Sequence, residues 1–319
     1  MSLSGVLALD EVIAESLPVA KDLHHLLGSL LQTFKKISFL LRETSVTKKG
    51  SFNTYGEEQL SVDLLAENLL ETWANEEPTV RATSSEENSV IKECQRDGTF
   101  IVCWDPLDGS SIVDCNWSVG TIVSIWQVGV NGVEWKGTDS LIGCTGRQQV
   151  ASAMAVYGPH TTALVAVSGK THDFFLNGEV FQKMPLPVIL PVAKIFSPAN
   201  LKACNSLPAY RTLVDYWISE GYTLRYTGGL VPDVYQLFRK GHGIFCNPVT
   251  EKAPPKLRLL YEIVAIANLI ECAGGKSSDG KNSILDMVIT SLDQRVQFCA
   301  GSENEVNRFE KIIGVNSKI

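Results

Sequence analysis

The 319-residue sequence lacks zinc-type Cys/His clusters and disulfide motifs, and it has no surplus of basic residues. None of its eight cysteines stands in a Cys-X-X-Cys pair, and its five histidines do not lie at the spacing of zinc ligands. We therefore expect reduced, mostly buried thiols, although a regulatory disulfide between an unspecified pair stays open. A net charge of −7 argues against a nucleic-acid groove, which would need clustered Lys and Arg.

Long apolar runs are also absent. The longest hydrophobic pattern, residues 23–41, is interrupted by Gln32, Lys35 and Lys36, so no segment reaches membrane-spanning length. Residues 1–10 contain no basic region followed by an apolar core, which predicts no secretory signal. These features predict a cytoplasmic protein that binds neither membranes nor nucleic acid, with a plastid location open if a transit segment has been removed.

The sequence does contain an alternation of helical and extended patterns. Apolar residues at helical spacing predict a long helix after Pro18 and another over residues 57–73. A continuous apolar run at Thr99–Trp104 has the length of a strand. Strands that alternate with helices indicate a layered α/β (α+β) fold. Further predicted elements are helices over residues 147–157 and 259–273 and a strand over residues 284–289.

Four prolines between Met184 and Pro198 interrupt these patterns. Clustered prolines are typical of segments between domains, so we place a boundary at about residue 190. This boundary divides the chain into an N-terminal lobe, residues 1–190, and a C-terminal lobe, residues 191–319.

The segment that follows the Thr99–Trp104 strand carries the strongest chemical signal. It reads Asp105-Pro106-Leu107-Asp108-Gly109-Ser110-Ser111. Two carboxylates this close can converge on hard cations, which prefer oxygen ligands. The N–H groups of Gly109, Ser110 and Ser111, at the start of a helix, would face a phosphate. The simpler alternative is a helix cap, but two aspartates, a proline, a glycine and two serines in one loop favour the metal and phosphate site.

This loop resembles the signature of the fructose-bisphosphatase family, within the wider group of magnesium-dependent, lithium-sensitive phosphatases. The resemblance extends from the first helix to Arg308. It implies an αβαβα sandwich, with metal and phosphate bound in the N-terminal lobe and sugar phosphate in the C-terminal lobe. The segments most similar to the branch that acts on sedoheptulose 1,7-bisphosphate are residues 56–63, 108–114, 144–147, 224–234 and 277–280.

The resemblance implies magnesium-dependent hydrolysis of the 1-phosphate of sedoheptulose 1,7-bisphosphate to sedoheptulose 7-phosphate. The alternative is fructose-1,6-bisphosphatase activity or dual specificity. Two to three Mg²⁺ ions per subunit are implied, with Mn²⁺ as a substitute, and a homo-oligomer is implied, with a dimer favoured over a tetramer. The more distant alternatives are an inositol or nucleotide phosphatase and a catalytically inactive metal-binding protein.

The resemblance also implies roles for individual residues. The metal ligands would be Glu86, Asp105, Leu107 through its backbone carbonyl, Asp108 and Glu262. The catalytic residues would be Asp63, Glu87 and Arg258, of which the two acids position or deprotonate the water. The substrate-binding residues would be Gly109, Ser110, Ser111, Asn200, Arg225, Tyr226 and Lys256, with Arg225 supplied by a neighbouring subunit.

Several of these residues also have a simpler interpretation. Glu86 and Glu87 could be solvated loop acids, and Arg225 could form an ion pair in the core. Carboxylates gathered in one cleft would repel one another by several kcal/mol unless cations neutralise them, even at an effective dielectric of about 20. Alignment with the fructose-specific branch places Cys246 where that branch has a tyrosine, which suggests room for a longer sugar.

Overall fold

The computed structural model describes residues 21–46, 48–52 and 58–314. The first helix, α1 (Lys21–Glu43), buries one face made by residues such as Leu27 and Phe34 at helical spacing. The predicted start of this helix after Pro18 lies outside the described residues. A short hairpin, β1 (Lys48–Phe52) and β2 (Glu58–Leu60), leads into α2 (Ser61–Glu76).

An eight-stranded sheet forms most of the N-terminal half, in the order β10-β9-β8-β7-β6-β5-β3-β4. Strands β3 and β5 are parallel, and all other neighbours in this sheet are antiparallel. The two parallel strands therefore end at the same edge. The strands are β3 (Val80–Ser85), β4 (Lys92–Glu93), β5 (Phe100–Asp108), β6 (Val119–Gln127), β7 (Gln149–Tyr157), β8 (Thr161–Val167), β9 (Lys170–Asn177) and β10 (Val180–Met184).

A five-stranded mixed sheet forms the C-terminal half, in the order β12-β11-β13-β15-β14. Its strands are β11 (Ile195–Pro198), β12 (Thr223–Leu224), β13 (Ile244–Asn247), β14 (Lys276–Ser278) and β15 (Phe298–Gly301). The remaining helices are α3 (Ser110–Val113), α4 (Pro208–Ser219), α5 (Leu230–Lys240), α6 (Val264–Cys272) and α7 (Glu303–Ile313).

Three apolar clusters separate five layers. Helices α1 and α2 pack on one face of the eight-stranded sheet through residues such as Phe34 and Val102. Helices α5 and α6 fill the space between the two sheets, where Trp126 and Phe298 belong to the same cluster. Helices α4 and α7 cover the outer face of the five-stranded sheet, around Trp217. This is the αβαβα sandwich, and the predicted fold class is confirmed.

Several predicted elements differ from the structure. Residues 147–157 are not a helix but a one-turn 3₁₀ segment followed by β7, whose residues are almost all buried on both faces. Residues 284–289 form a 3₁₀ turn, Ile284–Asp286, instead of a strand. The second helix begins at Ser61, because residues 58–60 pair as a strand.

None of the helices in the described ranges is long and apolar enough to cross a membrane. The boundary at residue 190 stays a prediction, and it falls between the last strand of the larger sheet and the first strand of the smaller one.

Candidate active site

The parallel pair β3 and β5 brings two acids to one edge of the sheet. Ser85 lies opposite Trp104 in the register, so Glu86 and Asp105 are the next residues along each strand. The amide of Glu86 donates to the carbonyl of Trp104 at 3.0 Å, and the carboxyl groups of Glu86 and Asp105 share a hydrogen bond. Two acids 19 positions apart in sequence are therefore in direct contact.

The chain turns sharply after Asp105. The amide of Leu107 donates to Asp105 Oδ1 at 2.9 Å, and the pairing of β5 with β6 is irregular between Asp105 and Asp108. Gly109 has a φ of 87°, a left-handed conformation that glycine adopts readily. Helix α3 has only four residues, so its dipole is weak, and any phosphate contact would rely on the N–H groups themselves.

Asp108 is hydrogen-bonded to the first turn of α5. Its Oδ2 accepts from the amide of Val231 at 2.6 Å, and its Oδ1 accepts from the amide of Leu230 at 3.3 Å. These amides belong to the first turn of α5, where N–H groups have no hydrogen-bond acceptor within the helix. Asp108 thus connects the end of β5 to the start of α5.

Glu262 approaches the same acids from a π-helical turn, Leu259–Ile263, that precedes α6. Its Oε2 accepts from the amide of Arg258 at 2.5 Å. The apolar spacing predicts a regular helix from Leu259 onward, whereas the structure has a π turn there. Such turns recur at functional sites because they shift a side chain out of the regular helical path.

Asp105, Asp108 and Glu262 form the acidic cluster. One carboxylate oxygen from each lies within 4.8 Å of the other two. Burial raises the pKa of Asp105 and Glu262 well above their ordinary values, and the neighbouring negative charges raise them further. Burial also raises the pKa of Asp108 to about 7. Three crowded oxygen donors that resist ionisation suit a hard divalent cation, which would stabilise their charged forms.

Arg258 is the cation of this cluster. Its guanidinium forms an ion pair with Glu86, and its side chain is only 4 % exposed. The resemblance implied a catalytic role for Arg258, and this role stays a prediction. The structure places Arg258 inside the wall of the site, where it fixes Glu86.

The predicted catalytic acids lie on the α2 side. Asp63 is buried in the first turn of α2, and Glu87 is partly buried directly after Glu86. Glu67, one turn beyond Asp63 on α2, is a further buried acid that no sequence motif identifies. Burial raises the pKa of Glu67 to about 7, and the charge of Glu87 contributes to this increase. Its only sequence signal was helical spacing from Asp63, which did not distinguish it from a surface acid.

The predicted substrate-binding residues of the C-terminal half lie farther out. Arg225, Tyr226 and Lys256 are exposed. Partial burial raises the pKa of Tyr226, and the negative charges of Asp233 and Asp108 raise it further.

Asn200 has a more specific environment. Its φ of 52° is left-handed, and its Nδ2 donates to the carbonyl of Pro248 at 2.7 Å. Since the amide nitrogen is engaged with the backbone, Oδ1 is the atom left to meet a ligand. A carbonyl oxygen accepts hydrogen bonds, so it suits a sugar hydroxyl better than a phosphate.

Cys246 lies on β13, and its carbonyl accepts from the amide of Ala199, which precedes Asn200. The side chain of Cys246 has no exposed surface, and its sulfur lies 3.5 Å from Tyr210 Oη in the α4–α7 layer. The effect of Cys246 on sugar length stays a prediction, and it would have to be indirect. Replacement by tyrosine would overfill this cluster.

Two family models cover the described fold. Residues 9–183 match the fructose-1-6-bisphosphatase N-terminal domain, and residues 189–314 match the fructose-1-6-bisphosphatase C-terminal domain. The chain belongs to the fructose-1,6-bisphosphatase family. Membership confirms the predicted enzyme class, a phosphoric monoester hydrolase.

Relatives within this family carry two names. The chain is 42 % identical over 317 residues to the chloroplastic sedoheptulose-1,7-bisphosphatase of Triticum aestivum, covering 98 % of this chain and 78 % of the relative. It is 36 % identical over 301 residues to the class 1 fructose-1,6-bisphosphatase of Geobacter sulfurreducens, covering 93 % and 92 %.

Solved structures of the family have the same fold. A crystal structure from Toxoplasma gondii, assigned as a sedoheptulose-1,7 bisphosphatase, has a TM-score of 0.94 and 49 % identity, covering 98 % of this chain and 99 % of the other. The holo form of Leishmania major fructose-1,6-bisphosphatase has a TM-score of 0.90 and 26 % identity, covering 97 % and 99 %.

Proposed function

We propose that this protein hydrolyses the 1-phosphate of sedoheptulose 1,7-bisphosphate and releases sedoheptulose 7-phosphate and inorganic phosphate. The observation that carries the proposal is the convergence of Asp105, Asp108 and Glu262, from three separate segments, beside the Gly109 turn. The identity of 42 % to the wheat sedoheptulose bisphosphatase supports the choice of substrate. Fructose 1,6-bisphosphate is the second candidate, because the bacterial relatives bear that name.

The acidic cluster would hold Mg²⁺, or Mn²⁺ in its place, through Asp105, Asp108, Glu262, Glu86 and the carbonyl of Leu107. When bound, two to three such ions would neutralise the cluster and acidify the attacking water. The acids on the α2 side, Asp63 and Glu87, would orient this water and take its proton.

Other residues would bind the substrate. The N–H groups of Gly109, Ser110 and Ser111 would hold the 1-phosphate, and the Oδ1 of Asn200 would accept from a sugar hydroxyl. Lys256 and Tyr226 would bind the second phosphate of the substrate that lies in their own subunit. Arg225 would reach into the neighbouring subunit of a homodimer. In this arrangement residues 1–190 bind metal and the 1-phosphate, and residues 191–319 bind most of the sugar phosphate.

The relatives in chloroplasts support a plastid location over the cytoplasmic one.

The deciding experiment for function is steady-state phosphate release from each bisphosphate, with and without Mg²⁺. A higher kcat/KM for the seven-carbon substrate supports the proposal, equal values indicate dual specificity, and a higher value for the six-carbon substrate supports the alternative. Phosphate release that persists in Asp108→Ala would contradict the role of the cluster.

A further inference from the structure

A buried carboxylate that no motif includes joins the strands that carry two of the proposed metal ligands. Glu67 lies on α2 and is 7 % exposed. Its Oε1 accepts from Ser85 Oγ at 2.5 Å, and its Oε2 accepts from Trp104 Nε1 at 2.7 Å. Each donor immediately precedes a site acid, Glu86 after Ser85 and Asp105 after Trp104.

The two donors are register partners at the parallel ends of β3 and β5. One side chain therefore holds both strand ends against α2, the helix that carries Asp63 one turn earlier. Backbone position at these two residues sets where the carboxylates of Glu86 and Asp105 project. Metal ligands must be held to within about 0.5 Å of the productive geometry, and supporting hydrogen bonds supply that precision.

A buried carboxylate is costly, because an apolar side chain of similar size would fill the same space without desolvation. Burial raises the pKa of Glu67 to about 7, which reflects this cost. A residue with this cost, placed where three acid-bearing elements meet, is consistent with a role in the site rather than in packing alone.

We propose that Glu67 is a positioning residue, which sets the affinity of the acidic cluster for its divalent metal by fixing Glu86 and Asp105 through Ser85 and Trp104. The inference rests on the proposed function in one respect, that the acidic cluster binds a divalent metal. Its central consequence is metal affinity, which needs no substrate.

The chain offers a matched control in Glu77. This carboxylate is also buried, at 4 % exposed, and accepts from Ser29 Oγ at 2.6 Å and Thr79 Oγ1 at 2.8 Å. It follows directly after the other end of α2, about 15 Å along the helix direction from Glu67. Loss of Glu77 therefore tests the effect of removing a buried, hydrogen-bonded carboxylate without disturbing the site.

The experiment compares Glu67→Gln with Glu77→Gln in the full chain. Gln has one carbonyl oxygen, so it leaves one of the two donors without an acceptor. Mn²⁺ binding, measured by calorimetry and by the electron paramagnetic resonance of free Mn²⁺, should weaken by about tenfold or more in Glu67→Gln. In Glu77→Gln the affinity for Mn²⁺ should change by less than about twofold. The melting temperature of Glu77→Gln should fall by about as much as that of Glu67→Gln.

Two further variants extend the test. Trp104→Phe keeps the ring packing and removes one donor, and Ser85→Ala removes the other. Each should weaken Mn²⁺ binding, and each should lower kcat more than it raises the KM for the bisphosphate. If Glu67→Gln does not fold, the Mn²⁺ affinity of Trp104→Phe tests the inference instead. Unchanged Mn²⁺ affinity in the folded variants, or equal weakening in Glu77→Gln, would overturn the inference.

Failure of the proposed function would look different. Neither bisphosphate would then release phosphate in the wild-type protein, whereas the contrast in Mn²⁺ affinity between the Glu67 and Glu77 variants would persist.

Discussion

The carboxylate of Asp108 accepts a hydrogen bond of 2.6 Å from the backbone amide of Val231. This contact joins a strand end of the larger sheet to the first turn of α5, and α5 follows directly on the segment that contains Arg225 and Tyr226. The metal half and the distal half of the proposed site therefore meet at one side chain. Displacement of Asp108 or of the first turn of α5 should therefore change the geometry of both halves of the site.

The acidic cluster predicts an unusual dependence of stability on pH. Because burial raises the pKa values of Asp105, Asp108 and Glu262, the folded chain keeps protons that the unfolded chain releases near its ordinary carboxyl pKa. Stability without metal should fall as pH rises from about 4 through about 7, since the folded state then binds more protons than the unfolded state. Melting temperatures measured across this range should decrease with pH, and saturating Mg²⁺ should flatten the decrease.

Other buried acids follow the same trend, so a difference measurement is needed. Burial raises the pKa of Asp173 to about 6, and this acid, which pairs with Arg239 on α5, should contribute equally with and without Mg²⁺. The difference between the two pH profiles isolates the metal site, and Asp108→Asn should reduce it. Identical slopes with and without Mg²⁺ would contradict the assignment of the cluster as a metal site.

The ion pair between Arg258 and Glu86 predicts a large stability effect. Arg258→Met removes the buried cation and leaves Glu86 among other acids, which should cost about 3 kcal/mol or more in the free energy of unfolding without metal. Arg147→Met is the matched control, because Arg147 is 48 % exposed and pairs with Glu271 and Asp286. That change should cost about 1 kcal/mol or less. Urea titrations of both variants test the contrast, and similar losses would be inconsistent with it.

Asp233 predicts a separation of KM from kcat. Its buried carboxylate accepts from the amides of Thr227 at 2.7 Å and Gly228 at 3.1 Å, and so holds the turn after Arg225 and Tyr226. Asp233→Asn loses one of these acceptors, which should cost about 1–3 kcal/mol of stability. Because the turn carries the distal clamp, KM for the bisphosphate should rise several-fold with little change in kcat.

The control for this variant is Asp215→Asn. Asp215 is exposed on α4 and forms an exposed i,i+4 ion pair with Arg211. Its KM should match that of the wild type. A loss of stability in Asp233→Asn at unchanged KM would mean that the turn has no part in binding substrate.

Local chemistry made one part of the site predictable from sequence. The loop from Asp105 to Ser111 combines a strand end, two carboxylates and a glycine within seven residues, so its roles could be inferred without knowing the fold. Contacts between distant segments were not predictable in this way. Arg258 and Glu86 are 172 positions apart, and nothing near either residue indicates its partner.

The errors in secondary structure have the same origin. Strand β7 is buried on both faces and contains Ala151, Ala153 and Ala155, so it lacks the polar alternation of a half-exposed strand. Alanine also favours helices, which made a helix the natural prediction. Glu67 resembled a surface acid between Ala66 and Asn68, and only the arrival of Ser85 and Trp104 from two strands makes it a buried one.

The proposed role of Arg225 in the neighbouring subunit predicts a shared site, and its side chain is exposed, as this role requires. If Arg225 completes the neighbouring site, Arg225→Ala and Asp108→Ala should each be nearly inactive at low substrate, but a mixture should recover activity. In a hybrid dimer, the subunit that keeps Asp108 receives Arg225 from its partner, so one of the two sites is intact. Random exchange in a symmetric dimer makes half the dimers hybrid, which predicts about a quarter of the wild-type activity.

Subunits would be mixed, exchanged by brief partial dissociation and assayed at substrate concentrations well below KM. The control is Asp108→Ala mixed with Glu262→Ala, because both defects lie in the acidic cluster. Each subunit of that hybrid would lack one cluster acid, so no recovery is expected. If Arg225 instead acts within its own subunit, the first hybrid also contains no intact site, and its activity would stay at the average of the two parents. Recovery therefore requires that Arg225 of one chain bind substrate in a site whose acidic cluster belongs to the other chain. An Arg225 that acts within its own subunit cannot produce this result.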